Sequence, residues 1–183
     1  MRQFLGMVLV LQASAVVAQA SGGPKLEDTG KYAGNYLCAP LASGGVGWDG
    51  TAKEWRGTAF KVPSDEQFVF EIKVLDKRKK WEAFGFSMVA VTYYANVRPL
   101  VGDAVGCWGE RDGYQPAELV SYNHILMSPD GKFRCRTNGG LYYYDFNLVT
   151  RQYLRAYHAG FVDGDDSGED TPSLQAGKCM RMD

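Results

Sequence analysis

The stretch Phe68-Val69-Phe70-Glu71-Ile72-Lys73-Val74 decides the fold. Its apolar residues recur on every second position, at Phe68, Phe70, Ile72 and Val74, while Glu71 and Lys73 occupy the alternate face. A period of two marks a strand buried on one side and wet on the other; a helix would repeat every three or four residues. Tyr153 to Val162 reads the same way, with Tyr153, Tyr157 and Phe161 sharing one face. Trp81 to Val97 is long enough for a helix. Its Val89, Val91, Thr92, Tyr93, Tyr94 and Val97 nevertheless favour strand, because branched and aromatic side chains suit a pleated surface.

Turn signals separate these runs. Asp49-Gly50, Asp112-Gly113, Pro129-Asp130-Gly131 and Asn138-Gly139-Gly140 each stand between apolar segments, as hairpin connections do. Short strands at intervals of about ten residues predict an all-β antiparallel sandwich or small barrel. Two stretches echo each other, each reading Cys, Gly-Gly, strand, polar turn, strand: Cys38 through Gly44-Gly45 to Trp55, and Cys135 through Gly139-Gly140 to Tyr153. Shared hairpin grammar accounts for the echo better than duplication, since the gaps differ.

The N-terminus predicts export. Arg2, the apolar run Phe4 to Val17 and the small-x-small site Ala18-Gln19-Ala20 have the order of a cleavable signal helix. The division that follows is signal peptide 1–20, flexible lead-in 21–34 and a single β domain 35–183. The protein is expected to be periplasmic or secreted, with no integral membrane association after cleavage. The net charge of -1, made more negative by losing Arg2, gives no electrostatic case for nucleic acid or an anionic membrane. The basic run Lys77-Arg78-Lys79-Lys80 after Asp76 accordingly reads as a solvated turn.

Cys38, Cys107, Cys135 and Cys179 form an even set in a chain bound for an oxidising compartment, which predicts two disulfides. Zinc is disfavoured by the absence of any C-x-x-C pair. Three connectivities are possible. Cys107–Cys135 with Cys38–Cys179 is the preferred set, because the first would staple neighbouring strands and the second would pin both ends of the domain to one sheet.

The ending Gly160-Phe161-Val162-Asp163-Gly164-Asp165-Asp166, then Asp170-Thr171-Pro172 and Gly177-Lys178-Cys179, resembles that of small exported β-rich proteins of alphaproteobacteria. Cys38, Gly44, Gly45 and Trp55 match the early Cys, Gly-Gly and Trp-bearing hairpin of that group. The resemblance implies export and a disulfide-linked β fold, and it carries over no catalytic residue.

Candidate chemistry is sparse. Asp163, Asp165, Asp166 and Asp170 open like a calcium loop, but an EF-hand needs an acid at the twelfth position, where Leu174 stands. An exposed acidic loop without a cofactor is expected, with calcium as the alternative. Pro172 just after it should begin an edge strand. Gly85-Phe86-Ser87-Met88-Val89 lacks the closing glycine of a nucleophile elbow. His124 and His158 could each serve as a general base, though a lone His in a strand is more often structural, and Glu54, Glu110 and Glu118 offer carboxylates for glycosidase-type chemistry. Trp48 and Trp55 lack the G-x-W context of lipocalin carriers. The favoured reading is a non-enzymatic module that binds a protein partner or small ligand; the alternative is a small exported hydrolase built around His124 or His158. The Tyr142-Tyr143-Tyr144 triplet alternates across a strand, so at least one ring should face outward, either to stack on a sugar or a partner or as the rim of the core.

Overall fold

The alternation that begins at Phe68 organises the whole sheet. The computed structural model describes residues 30–62, 65–83, 86–110, 124–127, 130–159 and 171–182, so the signal segment and Asp163 to Asp170 lie outside the described residues. The strands are β1 (Gly34–Asp49), β2 (Glu54–Phe60), β3 (Phe68–Ala83), β4 (Phe86–Pro99), β5 (Val105–Gly106), β6 (Trp108–Gly109), β7 (His124–Leu126), β8 (Lys132–Thr137), β9 (Tyr142–Asn147), β10 (Gln152–Tyr157) and β11 (Ser173–Arg181). They form one sheet in the order β5-β4-β3-β1-β11-β10-β9-β8-β6, with β2 added to β1 and β7 to β4. All pairings are antiparallel.

The two ends of that order are consecutive in the chain. Val105 and Gly106 pair with Val97 and Asn96 of β4, whereas Trp108 and Gly109 pair with Arg136 and Cys135 of β8. Between them the Cys107 amide donates to the Ala95 carbonyl at 2.9 Å, and the Glu110 amide to the Arg134 carbonyl at 3.2 Å. Residues 105–109 thus bring the first and last strands together, and the sheet is a nearly closed barrel rather than a sandwich. Closure removes the free edges along which flat sheets aggregate.

Inside the barrel the predicted face is buried. Phe68, Phe70 and Ile72 are 3%, 0% and 2% exposed, but Val74, beyond the last β1–β3 pair, is 39% exposed. Phe70 stacks on Phe146 with ring centroids 4.3 Å apart and on Phe133 at 5.3 Å. Phe68 meets Tyr153 edge-on at 5.1 Å. Rings in direct contact fill the barrel at this level. Tyr153 lies across Gly177, its register partner, where an added Cβ would collide with the ring.

Both disulfides have the preferred connectivity. Cys38 and Cys179 are register partners on β1 and β11, and Cys107 is bonded to Cys135 on β8. The first joins the opening strand of the barrel to the last, while the second fastens the closing segment.

Four expectations change. The basic run is not a turn: β3 continues through it to Ala83, its register shifting between Val74 and Arg78, because Val89, Ala90 and Val91 of β4 supply ladder partners. The lead-in is not flexible to Gly34. Tyr32 is buried, its carbonyl accepts from the Tyr36 hydroxyl, and Arg181 donates to the carbonyls of Lys31 and Ala33. Pro172 does not begin an edge strand, since β11 lies between β1 and β10; its carbonyl instead accepts from the Val46 amide at 3.2 Å. The echo is not structural either. Gly44-Gly45 sits within β1, whereas Gly139 and Gly140 adopt positive φ in the β8–β9 turn.

Thr92 is buried, and its Oγ1 has no hydrogen-bond partner among the described residues. A buried hydroxyl without a partner forfeits its hydration. Thr92→Val, which keeps the shape and removes the oxygen, should raise the unfolding free energy by about 1 kcal/mol in urea titration.

Candidate functional site

The inward positions of β9, β10 and β11 change character along the barrel. At one level they are Phe146, Tyr153 and Gly177; at the next, Tyr144, Arg155 and Gln175; at the end, Tyr142, Tyr157 and Ser173. The middle level places a guanidinium on the inner wall, where a lone charge is costly unless paired. Glu66, from the β2–β3 connection, supplies the pairing. Arg155 Nη2 donates to Glu66 Oε2 at 3.0 Å, and Gln175 Nε2 donates to the same oxygen. The Tyr153 hydroxyl donates to Gln175 Oε1 at 3.0 Å. Arg155 and Thr137 are the polar side chains that act on the Tyr144 hydroxyl. Tyr142 lies with its ring centroid 5.5 Å from the Arg155 guanidinium carbon, within cation–π reach.

This network reaches solvent, since the Arg155 and Glu66 side chains are 21% and 37% exposed. Above it, Tyr142 and Tyr157 are register partners with rings 5.1 Å apart, both half-buried. Thr137 and Ser173 flank them on β8 and β11. The β1–β2 hairpin rises from the same end. Beyond the Gly45–Ser173 pair β1 no longer pairs with β11 and continues with β2 alone, where Trp48 and Trp55 face each other at 5.8 Å. One end of the barrel therefore carries a guanidinium, a carboxylate, an amide, two hydroxyls and a set of aromatic rings.

Burial governs the tyrosines. It pushes the Tyr144 and Tyr153 phenols well above their ordinary range, outweighing the downward pull of Arg155. Tyr93, elsewhere in the core, is pushed up to about 12 by burial, with smaller contributions from Tyr32 and Tyr36. An acid whose folded pKa lies above its unfolded value of 10.0 favours the fold while protonated. That contribution is complete below the unfolded value and is lost as the pH rises through the folded one. Stability should therefore fall from about pH 10 upward. Phenolate absorbance of these buried tyrosines should appear only together with unfolding, which a spectrophotometric titration followed alongside circular dichroism checks.

Among the described residues, the histidines and acids singled out in the sequence fall on or next to different strands. His158 lies on the outer surface against Tyr143, with ring centroids 5.0 Å apart. His124 is on β7 opposite Tyr94. Glu54 pairs with Arg56, and Glu110 lies 3.7 Å from Arg134, which also binds Asp145. Glu118, Asp163, Asp165, Asp166 and Asp170 fall outside the described residues. Among the described residues no three His, Cys, Asp or Glu side chains gather as metal ligands, and no helix is long and apolar enough to cross a membrane.

Arg155, Glu66 and Gln175 did not emerge from the sequence. Arg155 had a signal, since it falls between Tyr153 and Tyr157 in the phase of the buried face. Glu66 had none, being 89 residues from Arg155 along the chain. No protein-family model, curated protein or solved structure matches this chain.

Proposed function

We propose that this protein is an exported binding module, not an enzyme, that takes a small hydroxylated ligand such as an oligosaccharide at the tyrosine-lined end of its barrel. The observation that supports this is the joining of the Tyr142–Tyr157 ring pair to the Arg155–Glu66–Gln175 network. Aromatic faces cover the C–H face of a sugar, while planar side chains with two donor or acceptor positions bridge neighbouring hydroxyls. Pockets for small ligands combine apolar walls with a few such polar groups on rigid elements. The signal-like N-terminus, the two disulfides and the resemblance to exported β-rich proteins support the location.

Titration calorimetry of the purified protein against a panel of neutral oligosaccharides tests the reading. Binding should be abolished by Tyr142→Ala with Tyr157→Ala and weakened about tenfold or more by Arg155→Met, each hot-spot contact being worth over about 1 kcal/mol. The substitution His158→Ala should leave affinity unchanged. Absence of binding across the panel, or binding indifferent to the tyrosine pair, contradicts it.

A further inference from the structure

The β3–β4 hairpin leaves the barrel at the end opposite Tyr142 and Tyr157. Gly34 and Ile72 form the last pair between β1 and β3, after which β3 continues to Ala83. From Arg78 to Ala83 it pairs only with Val91 to Phe86 of β4, and among the described residues no other strand joins this part. Six consecutive pairs make an arm of about 17 Å.

Register orders the residues along that arm. Paired residues share a level along it: Arg78 with Val91, Lys79 with Ala90 and Lys80 with Val89 come first. Trp81 with Met88, Glu82 with Ser87 and Ala83 with Phe86 follow beyond them. Lys77 precedes them in the irregular stretch before Arg78. The basic residues thus occupy the barrel-proximal half, and Trp81, Phe86 and Met88 the distal half. Asp76 and Glu82 bracket the run and leave it a positive excess.

We propose that this arm docks the protein on an anionic membrane surface. Its distal pairs would enter the interfacial layer, with Lys77, Arg78, Lys79 and Lys80 at the level of the lipid phosphates. A bilayer surface has the same order in depth, anionic groups outside and an aromatic-accepting interface beneath them. The near-neutral charge of the whole chain does not oppose this, because screening makes attraction local to within about 10 Å. Docking through this arm leaves the tyrosine-lined end facing away from the membrane, so the two sites are independent.

The test is co-sedimentation of the mature, oxidised protein with phosphatidylcholine vesicles, with and without phosphatidylglycerol. Binding is expected only with the anionic lipid and should weaken as salt is added. The variant Lys77→Gln, Arg78→Gln, Lys79→Gln, Lys80→Gln should lose about tenfold or more in partitioning, since each basic residue at such a surface contributes about fivefold. Should that variant not fold, fluorescence quenching by brominated lipid is read in the unmodified protein and in Trp81→Phe. The tryptophan quenched at the membrane should disappear with that substitution. No sedimentation with anionic vesicles, equal binding to neutral ones, unaltered quenching in Trp81→Phe, or retention on RNA or heparin without vesicle binding would each overturn the proposal.

Discussion

Replacing Cys38 and Cys179 together by alanine should lower the free energy of unfolding by about 5 kcal/mol, as a loop of this length predicts. The bridge closes a sequence separation of 141 residues, so the unfolded chain without it regains a large conformational freedom. In the fold the two residues are register partners, and the bond ties the first barrel strand to the last. Domains of this size are stable by about 5–15 kcal/mol, so the variant should be partly unfolded or close to it. Removing Cys107 and Cys135, separated by 28 residues, should cost about 3.5 kcal/mol on the same basis. That second loss has a local consequence as well. Residues 105–109 close the barrel, and exchange of the Cys107 amide with solvent should accelerate. Urea unfolding of both variants under oxidising conditions gives the comparison, and equal costs for the two bridges would contradict the loop-length argument.

Phe70→Ala should cost about 3–5 kcal/mol, the range of a large aromatic removed from a rigid core. Phe70 is fully buried and is the ring on which Phe133 and Phe146 converge. The void would open where strands from opposite sides of the barrel meet, so neither wall can collapse inward without breaking ladder hydrogen bonds. Phe70→Leu should cost less, because it leaves part of the volume filled. Val101→Ala is the matching control, since Val101 is 93% exposed and its loss should change stability by no more than about 0.5 kcal/mol. Denaturant midpoints of the three variants decide the order.

The fold was legible where local chemistry and tertiary packing agree. Phe68, Phe70 and Ile72 announce their face by spacing alone, and Asn138-Gly139-Gly140 announces its turn because only glycine takes positive φ at low cost. The disulfide connectivity could be preferred but not fixed, for it depends on which strands become neighbours. β11 is the example: it lies mid-sheet between β1 and β10, an adjacency set by pairing over a separation of 141 residues. The basic run reads as a turn in the sequence for a related reason. A charge cluster between apolar segments resembles a turn unless the strand continues beyond the barrel wall, and nothing local to Lys77-Arg78-Lys79-Lys80 marks where that wall ends.

The candidate site was half legible. Tyr142, Tyr144, Tyr153 and Tyr157 are named by alternation, and Arg155 shares their phase, but a charged residue in an inward position only makes sense once its counter-charge is known. Glu66 comes from a connection distant in sequence, so the pair exists only in the closed barrel. Imidazole is the side chain that most often serves as a general base, yet the fold leaves His158 on the outer wall beside Tyr143.

Amide and side-chain chemical-shift mapping with an oligosaccharide selected by calorimetry tests the central claim most directly. Shifts confined to Tyr142, Tyr157, Arg155, Gln175 and Ser173, with the Phe70, Phe133 and Phe146 rings unmoved, are the predicted result. Shifts centred on His158 and Tyr143 outside the barrel, or on residues around Gly34 and Ile72 at its other end, would contradict it.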